Sequence, residues 1–118
     1  MAGAGEACLF CGIVARSIPA TIVAETDLSL AFRDIHPGAP VHVLVIPKAH
    51  IDNVMALEPS HKDCLFDLHR TIQTVARQED IVTKGFRTVV NNGKDSGQAV
   101  GHLHYHVLAG RPLRWPPG

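Results

Sequence analysis

The segment His102-Leu103-His104-Tyr105-His106-Val107-Leu108 alternates imidazoles with apolar side chains at a period of two. Side chains along a β-strand point alternately to opposite faces. The pattern therefore predicts a strand over 101–108, with His102, His104 and His106 on one face and Leu103, Tyr105 and Val107 on the other. Next-but-one Cα atoms of a strand stand ~6.5–7 Å apart, so three such imidazoles can act on different atoms of one ligand about the size of a phosphate. The bland alternative is three solvated or packed histidines. It suits one histidine better than three, because each buried imidazole needs hydrogen-bond partners, and a strand built for packing alone would carry Val or Ile. A catalytic metal shared by all three ranks lower: residues i and i+2 can share an ion, but i+4 lies too far from i on a straight strand. Imidazole is uncharged yet nucleophilic near neutral pH and serves there as acid or base. A central imidazole can attack phosphorus while a neighbour holds an oxygen or protonates the leaving group.

The rest of the chain supplies a frame for this strand. Leu9, Phe10, Ile13 and Val14 share one face of a short helix, which Pro19 is expected to end. Strands are expected over Thr21–Ala24 and Leu28–Arg33, joined at Thr26-Asp27 as a tight hairpin. After a turn at His36-Pro37-Gly38-Ala39-Pro40, Val41–Ile46 is apolar on both faces except at His42, the mark of a central, covered strand. Ser60 is the expected N-cap of a long helix, with Asp63 three residues on. Leu65, Leu68, Ile72, Val75 and Ala76 form its buried stripe. Phe86–Asn91 reads as a fourth strand, followed by the polar loop Asn92–Gly97. Short connections favour antiparallel pairing, giving one α+β domain over 1–118 with its helices mainly on one face of the sheet. Residues 1–7 read as a loose start.

Composition narrows the function. The 118 residues carry 11 Lys+Arg against 11 Asp+Glu, a formal net charge of zero. Nucleic-acid and membrane-surface binding both draw on a basic excess, so neither partner is expected. No apolar run approaches the ~20 residues of a membrane span. The N-terminus has no secretory pattern, and three cysteines are too few for a disulfide framework. A reducing, cytoplasmic setting is expected. Cys8-Leu9-Phe10-Cys11 alone reads as a redox pair or as two ordinary thiols, although no thioredoxin-like pattern surrounds it. Cys64 reads as a core or half-exposed thiol.

The 102–108 segment resembles the His-φ-His-φ-His-φ-φ signature of the histidine triad (HIT) superfamily. Phe32-Arg33-Asp34-Ile35, His42–Lys48, Val89-Val90-Asn91 and the tail Arg111–Gly118, with its Trp-Pro-Pro-Gly ending, resemble the nucleotide-binding (Hint) branch, the purine nucleoside phosphoramidases. The resemblance runs from about Leu9 to Gly118. It implies a five-stranded antiparallel sheet with one long and one short helix, dimerising into a continuous ten-stranded sheet with residues 111–118 near the partner's active site. It also implies hydrolysis of AMP or GMP phosphoramidates through a nucleotidyl-histidine, with no catalytic metal. His104 then corresponds to the nucleophile, His106 to the group contacting phosphate and leaving group, and His42 to the support of the nucleophile through hydrogen bonding. Asp34 matches the ribose-binding carboxylate; Phe10, Ile13, Phe32 and Ile35 match the base pocket. Asn91 matches a phosphate-side amide, Gly97, Gln98 and Ala99 lie in the phosphate-facing loop, and Trp115 belongs to the tail. Cys8, Cys11, His50 and His102 resemble the Cys₂His₂ structural zinc site of relatives that carry both cysteines. Ala99 departs from a common serine and Gly101 from a bulkier residue. A dinucleoside-polyphosphate hydrolase of the same superfamily, or a nucleotide-binding scaffold with incidental hydrolysis, is the alternative.

Overall fold

The computed structural model describes residues 8–118, so the loose start read over 1–7 lies outside the described residues. The elements are α1 (Leu9–Val14), β1 (Ile22–Glu25), β2 (Ser29–Arg33), β3 (Val41–Pro47), α2 (Lys62–Gln78), β4 (Arg87–Val90) and β5 (Tyr105–Ala109). The strands form one antiparallel sheet in the order β1-β2-β3-β5-β4. The result is an α+β fold with one long helix. Among the described residues, no helix is long and apolar enough to cross a membrane.

The alternation of β3 explains the two layers. Val43 and Val45 turn to one face, where Leu68, Ile72, Val75 and Ala76 of α2 cover them with Ala31, Val107 and Ala109. Leu44 and Ile46 turn to the other, where Phe10 and Ile13 of α1 meet Leu30 and Phe32. The two helices therefore lie on opposite faces, which corrects the expectation that they share one. A central strand apolar on both sides needs cover on both. Gly12 lets α1 sit close to the returning chain, because a Cβ there would run into the Ile18 side chain.

Strands β1 to β4 begin or end within a residue of their expected bounds, and three other boundaries differ in kind. α1 stops at Val14, well before Pro19, and Arg16 follows with φ of 64°. Ser60 is not the cap of α2: a 3₁₀ turn over Pro59–His61 leads into the helix, and the Glu58 N–H donates to Nδ1 of His61 at 3.0 Å. Most relevant to function, β5 begins only at Tyr105, so His102 and His104 precede the strand. Leu103 leaves the ladder because its N–H donates to the Ile51 carbonyl at 2.6 Å. The sequence period could not register that competing acceptor.

Behind the sheet, the hydroxyls of Thr26 and Ser29 reach Asp67 Oδ2 at 2.5 and 2.7 Å, and Ser29 meets Thr71 at 2.6 Å. This network satisfies the buried hydroxyls and ties α2 to the β1–β2 turn.

Candidate active site

A row of paired residues crosses the sheet on the α1 face. Phe32 of β2 stands opposite Leu44 of β3, and Leu44 opposite His106 of β5. These three help line a cavity of about 350 Å³, closed by Phe10, Ile13 and His104. Asp34, Ile35 and Ala99 are also on its wall. His42, Asn91, Gly97, Gln98 and Trp115 do not line it. Gln98 is instead a brace for its loop: its Oε1 accepts from the Gly93 N–H at 2.9 Å, and its Nε2 donates to the carbonyls of Asp52 and Val100. Asn91 follows β4 directly. Trp115 is 80 % exposed, with the Arg87 guanidinium 5.8 Å from its ring centre.

The three histidines of the motif divide into two groups. His102 is fully buried and turned to the cysteines. His104 and His106 face the cavity, with ring centres 5.0 Å apart. Phe10 meets the edges of both His102 and His104, so the rings share the α1 side although only His106 sits in the ladder. His42 stands opposite Leu108, one diagonal step from His106, and diagonal neighbours are within reach of long side chains. Its Nε2 lies 2.9 Å from Nδ1 of His106 and 3.3 Å from Oδ2 of Asp34. His42 thus supports His106 directly. The sequence resemblance had it supporting His104, whose Nδ1 bonds the His102 carbonyl instead.

These partners fix the ring protons. A carbonyl only accepts, so Nδ1–H of His104 donates to the His102 carbonyl at 2.7 Å, leaving a lone pair on Nε2. The Gly38 N–H only donates and reaches Nδ1 of His42 at 2.9 Å, so a neutral His42 carries its proton on Nε2. That Nε2–H donates to Nδ1 of His106, which places the His106 proton on its own Nε2. The cavity wall therefore presents a nucleophilic nitrogen beside an N–H donor.

Both supporting rings are held neutral. Burial, then the nearby His104 and His42, lowers His106 to about 4, against the opposing pull of Asp34. Burial also lowers His42, again opposed by Asp34. Because the folded His106 binds its proton more weakly than the ~6.5 of a free imidazole, it contributes stability fully above pH ~6.5. That contribution is lost as the pH falls toward 4. Thermal unfolding followed from pH 7.5 to 4 should show a falling midpoint in that window, with a shallower fall in His106→Asn. Equal slopes in the two proteins would contradict the assignment.

A second constellation lies at the other end of the motif. The ligating atoms of Cys8, Cys11, His50 and His102 all lie within 4.8 Å of one another. Nδ1 of His102 is 3.2 Å from Cys8 Sγ and 3.6 Å from Cys11 Sγ, and Nδ1 of His50 is 3.2 Å from Cys11 Sγ. A tetrahedron with metal–N of ~2.0 Å and metal–S of ~2.3 Å has edges of roughly 3.3–3.8 Å, so these residues could hold a metal ion. Outer contacts aim the rings: Nε2–H of His102 donates to the Pro47 carbonyl and that of His50 to Asp52 Oδ1, each at 2.8 Å. Both Nδ1 lone pairs therefore point at the thiols, the arrangement of ligating histidines in general. Between themselves, burial and the adjacent Cys8 push the Cys11 thiol up to about 11. A cation among the four would reverse that, since coordinated thiols lose their protons. Cys8 Sγ also accepts the Cys11 N–H at 3.2 Å, capping α1.

Sequence reasoning passed over Asp52 and Gly38. Asp52 had a faint signal, a carboxylate two residues after His50. Gly38 had none, because it acts through its backbone.

Fold and site together define a small α+β protein with paired imidazoles on the wall of an apolar cavity. The HIT domain family model matches residues 15–113. A crystal structure of a HIT family hydrolase from Legionella pneumophila Philadelphia 1 superposes with a TM-score of 0.91 at 42% identity, covering 94% of this chain and 99% of that one. The 14 kDa zinc-binding protein of Brassica juncea is 44% identical over 93% of this chain and 98% of its own length. Adenylylsulfatase HINT1 of Arabidopsis thaliana is also 44% identical, over 93% of this chain and 76% of its own length. The chain belongs to the HIT family, on its Hint-like branch.

Proposed function

We propose that the protein hydrolyses purine nucleoside phosphoramidates, AMP or GMP joined to an amine, through a nucleotide carried on His104. The observation that carries this reading is the lone pair on His104 Nε2, set by the Nδ1 bond to the His102 carbonyl and facing the cavity beside His106. The bond from Nε2 to the α-phosphorus forms as the P–N bond breaks. Water then cleaves the nucleotidyl-His104 and releases the monophosphate. Over both steps one water supplies the proton of the amine and the hydroxyl of the product. Nε2–H of His106 hydrogen-bonds a phosphate oxygen or the departing nitrogen, and His42 keeps that ring oriented.

Phe10, Ile13, Phe32 and Ile35 supply apolar surface for a base, and Asp34 supplies an acceptor for ribose hydroxyls. Among the described residues, the backbone N–H groups of Ala99 and Val100 have no acceptor, which leaves them available to a phosphate at that wall. Gln98 braces the loop from behind, Gly97 supplies its left-handed turn, and Asn91 stands at the end of β4 as a candidate phosphate-side amide. Ala99 offers no hydroxyl where a serine would add one. Two relatives support a hydrolase by name, a HIT family hydrolase and an adenylylsulfatase. Cleavage of an adenylyl–sulfate bond is a second reading, since attack by His104 at the same phosphorus would expel sulfate. Rapid quench with a labelled AMP-amine should trap an acid-labile adduct on His104. Absence of that adduct in a turning-over protein would refute the mechanism, and rates on AMP-amine and adenylyl sulfate side by side would rank the two substrates.

Zinc is the metal that the Cys₂His₂ set fits best. With four protein ligands the site is closed and structural, so its chemistry is to join α1 to the sheet. A homodimer completes the proposal, formed at the edge strand β4. Its open edge is a template for pairing, and the exposed Phe86 and Trp115 lie beside it. Joining two β4 edges would give ten strands and bring residues 111–118 of one chain toward the cavity of the other. Sedimentation should give twice the chain mass, and a monomer at micromolar concentration would remove this part.

A further inference from the structure

The proton on His42 is not determined by its own chemistry. A free neutral imidazole exchanges between its two tautomers, and only the Nε2–H form can donate to Nδ1 of His106. Two neighbours select that form: Asp34 Oδ2, an acceptor 3.3 Å from Nε2, and a main-chain donor at the other nitrogen. The Gly38 N–H lies 2.9 Å from Nδ1 of His42, so the alternative tautomer would set two donors against each other. The other polar group of Gly38 is also engaged: its carbonyl accepts from Arg111 Nη2 at 3.0 Å.

Arg111 enters this position from the end of β5. The preceding Gly110 has φ of 97°, and a Cβ on it would stand 2.7 Å from Cβ of Pro40. Loop 36–40 is therefore bounded on one side by Gly110 and Arg111 and on the other by the His42 ring. The His42 side chain is only 9 % exposed, although the Gly38 bond to it lies at the exposed rim of the ring.

We infer that Gly38 is a tautomer lock on His42, held in place by Arg111 at the exit of β5. Through His42 it sets the donor state of His106. Both are positioning residues, acting on the reaction through the His42–His106 pair. A sequence search for polar side chains would not find Gly38, and Arg111 would pass as a surface charge.

The inference rests on the proposed attack at phosphorus only for its kinetic consequence. The tautomer itself can be read without substrate, from ¹⁵N shifts and couplings of the histidine rings above pH 7. The wild type should show His42 with Nε2–H and an accepting Nδ1. Chemical ligation can convert the amide between Pro37 and Gly38 to an ester, which replaces the N–H donor by an oxygen and leaves the side chains unchanged. The ester protein should show a mixture of His42 tautomers, and kcat on an AMP-amine should fall by ~3–10-fold, the worth of about one neutral hydrogen bond, with KM little changed. Arg111→Ala, which frees the Gly38 carbonyl, should shift the ring signals in the same direction by less. Gly38→Ala retains the N–H, and its Cβ would meet Nδ1 of His42 at an ordinary 3.8 Å, so it should keep the wild-type ring spectrum. A wild-type His42 protonated on Nδ1, or a pure Nε2–H form in the ester protein, would overturn the lock; a tautomer change with unaltered kcat would overturn its part in positioning the His42–His106 pair for the reaction. A missing adduct on His104 would instead overturn the proposed reaction and leave the ring measurement standing.

Discussion

Replacing His104 by alanine should lower kcat on an AMP-amine by about four orders of magnitude or more, because removal of a covalent nucleophile leaves only binding and polarisation. The same variant should yield no acid-stable or acid-labile nucleotide adduct after quench. His106→Ala should cost less, about 10²–10³-fold, the range for a lost hydrogen-bond donor or general acid, and should still form the adduct slowly. The contrast follows from the ring protons. His104 presents a lone pair because its Nδ1–H is committed to the His102 carbonyl, and His106 presents an N–H because its Nδ1 accepts from His42. Folding of His104→Ala can be checked from the chemical shifts of the α2 face, which His104 does not touch. Turnover of the His104→Ala protein within tenfold of wild type would remove the covalent reading altogether.

Metal removal should be the largest stability effect. Elemental analysis of the purified protein should show about one zinc per chain. At free metal a thousand times its dissociation constant, a bound ion stabilises the folded state by ~4 kcal/mol, or roughly 15 °C in the unfolding midpoint of a chain this size. Chelation, or Cys8→Ser with Cys11→Ser, should lower the midpoint by about that amount. The loss should be local first. α1 has only six residues, too few for an isolated helix in water, and it depends on the Cys8 cap and on packing of Phe10 and Ile13. Hydrogen exchange should therefore rise in α1 and around His50 and His102 before it rises in α2. Since Phe10 and Ile13 also wall the cavity, nucleotide affinity should fall in the same proteins. A metal-depleted protein with the wild-type midpoint and unchanged exchange in α1 would show that this cluster holds nothing structural.

Much of this was legible because the period of a strand and the period of a helix leave different traces. The near-continuous apolar run in Val41–Ile46 placed a covered central strand, and the stripe Leu68, Ile72, Val75 and Ala76 placed the long helix against it. The motif histidines stood out because imidazoles do not suit a core built only for packing, and the cysteine pair because of its C-x₂-C spacing. The placement of helices failed where period alone cannot choose a face: α1 and α2 carry similar apolar stripes, and only the alternation of β3 separates them. The start of β5 failed for a related reason. Residues 102–104 have strand periodicity, yet the Leu103 N–H goes to Ile51 and the His102 carbonyl to a side chain.

By itself the sequence determined the α+β class, the sheet with one long helix, and the residue types available for chemistry. These follow from local pattern, since side-chain direction repeats along the chain whatever the chain packs against. The division of labour among the histidines was decided by tertiary structure. His102 is turned to Cys8 and Cys11, ninety-odd residues away in sequence, while His104 and His106 are left to the cavity. The proton positions were decided in the same way, by backbone groups of Gly38, Pro47 and His102 itself. A carbonyl or N–H carries no letter in the sequence, so its effect on a neighbouring ring exists only once the fold has brought the two within hydrogen-bond distance.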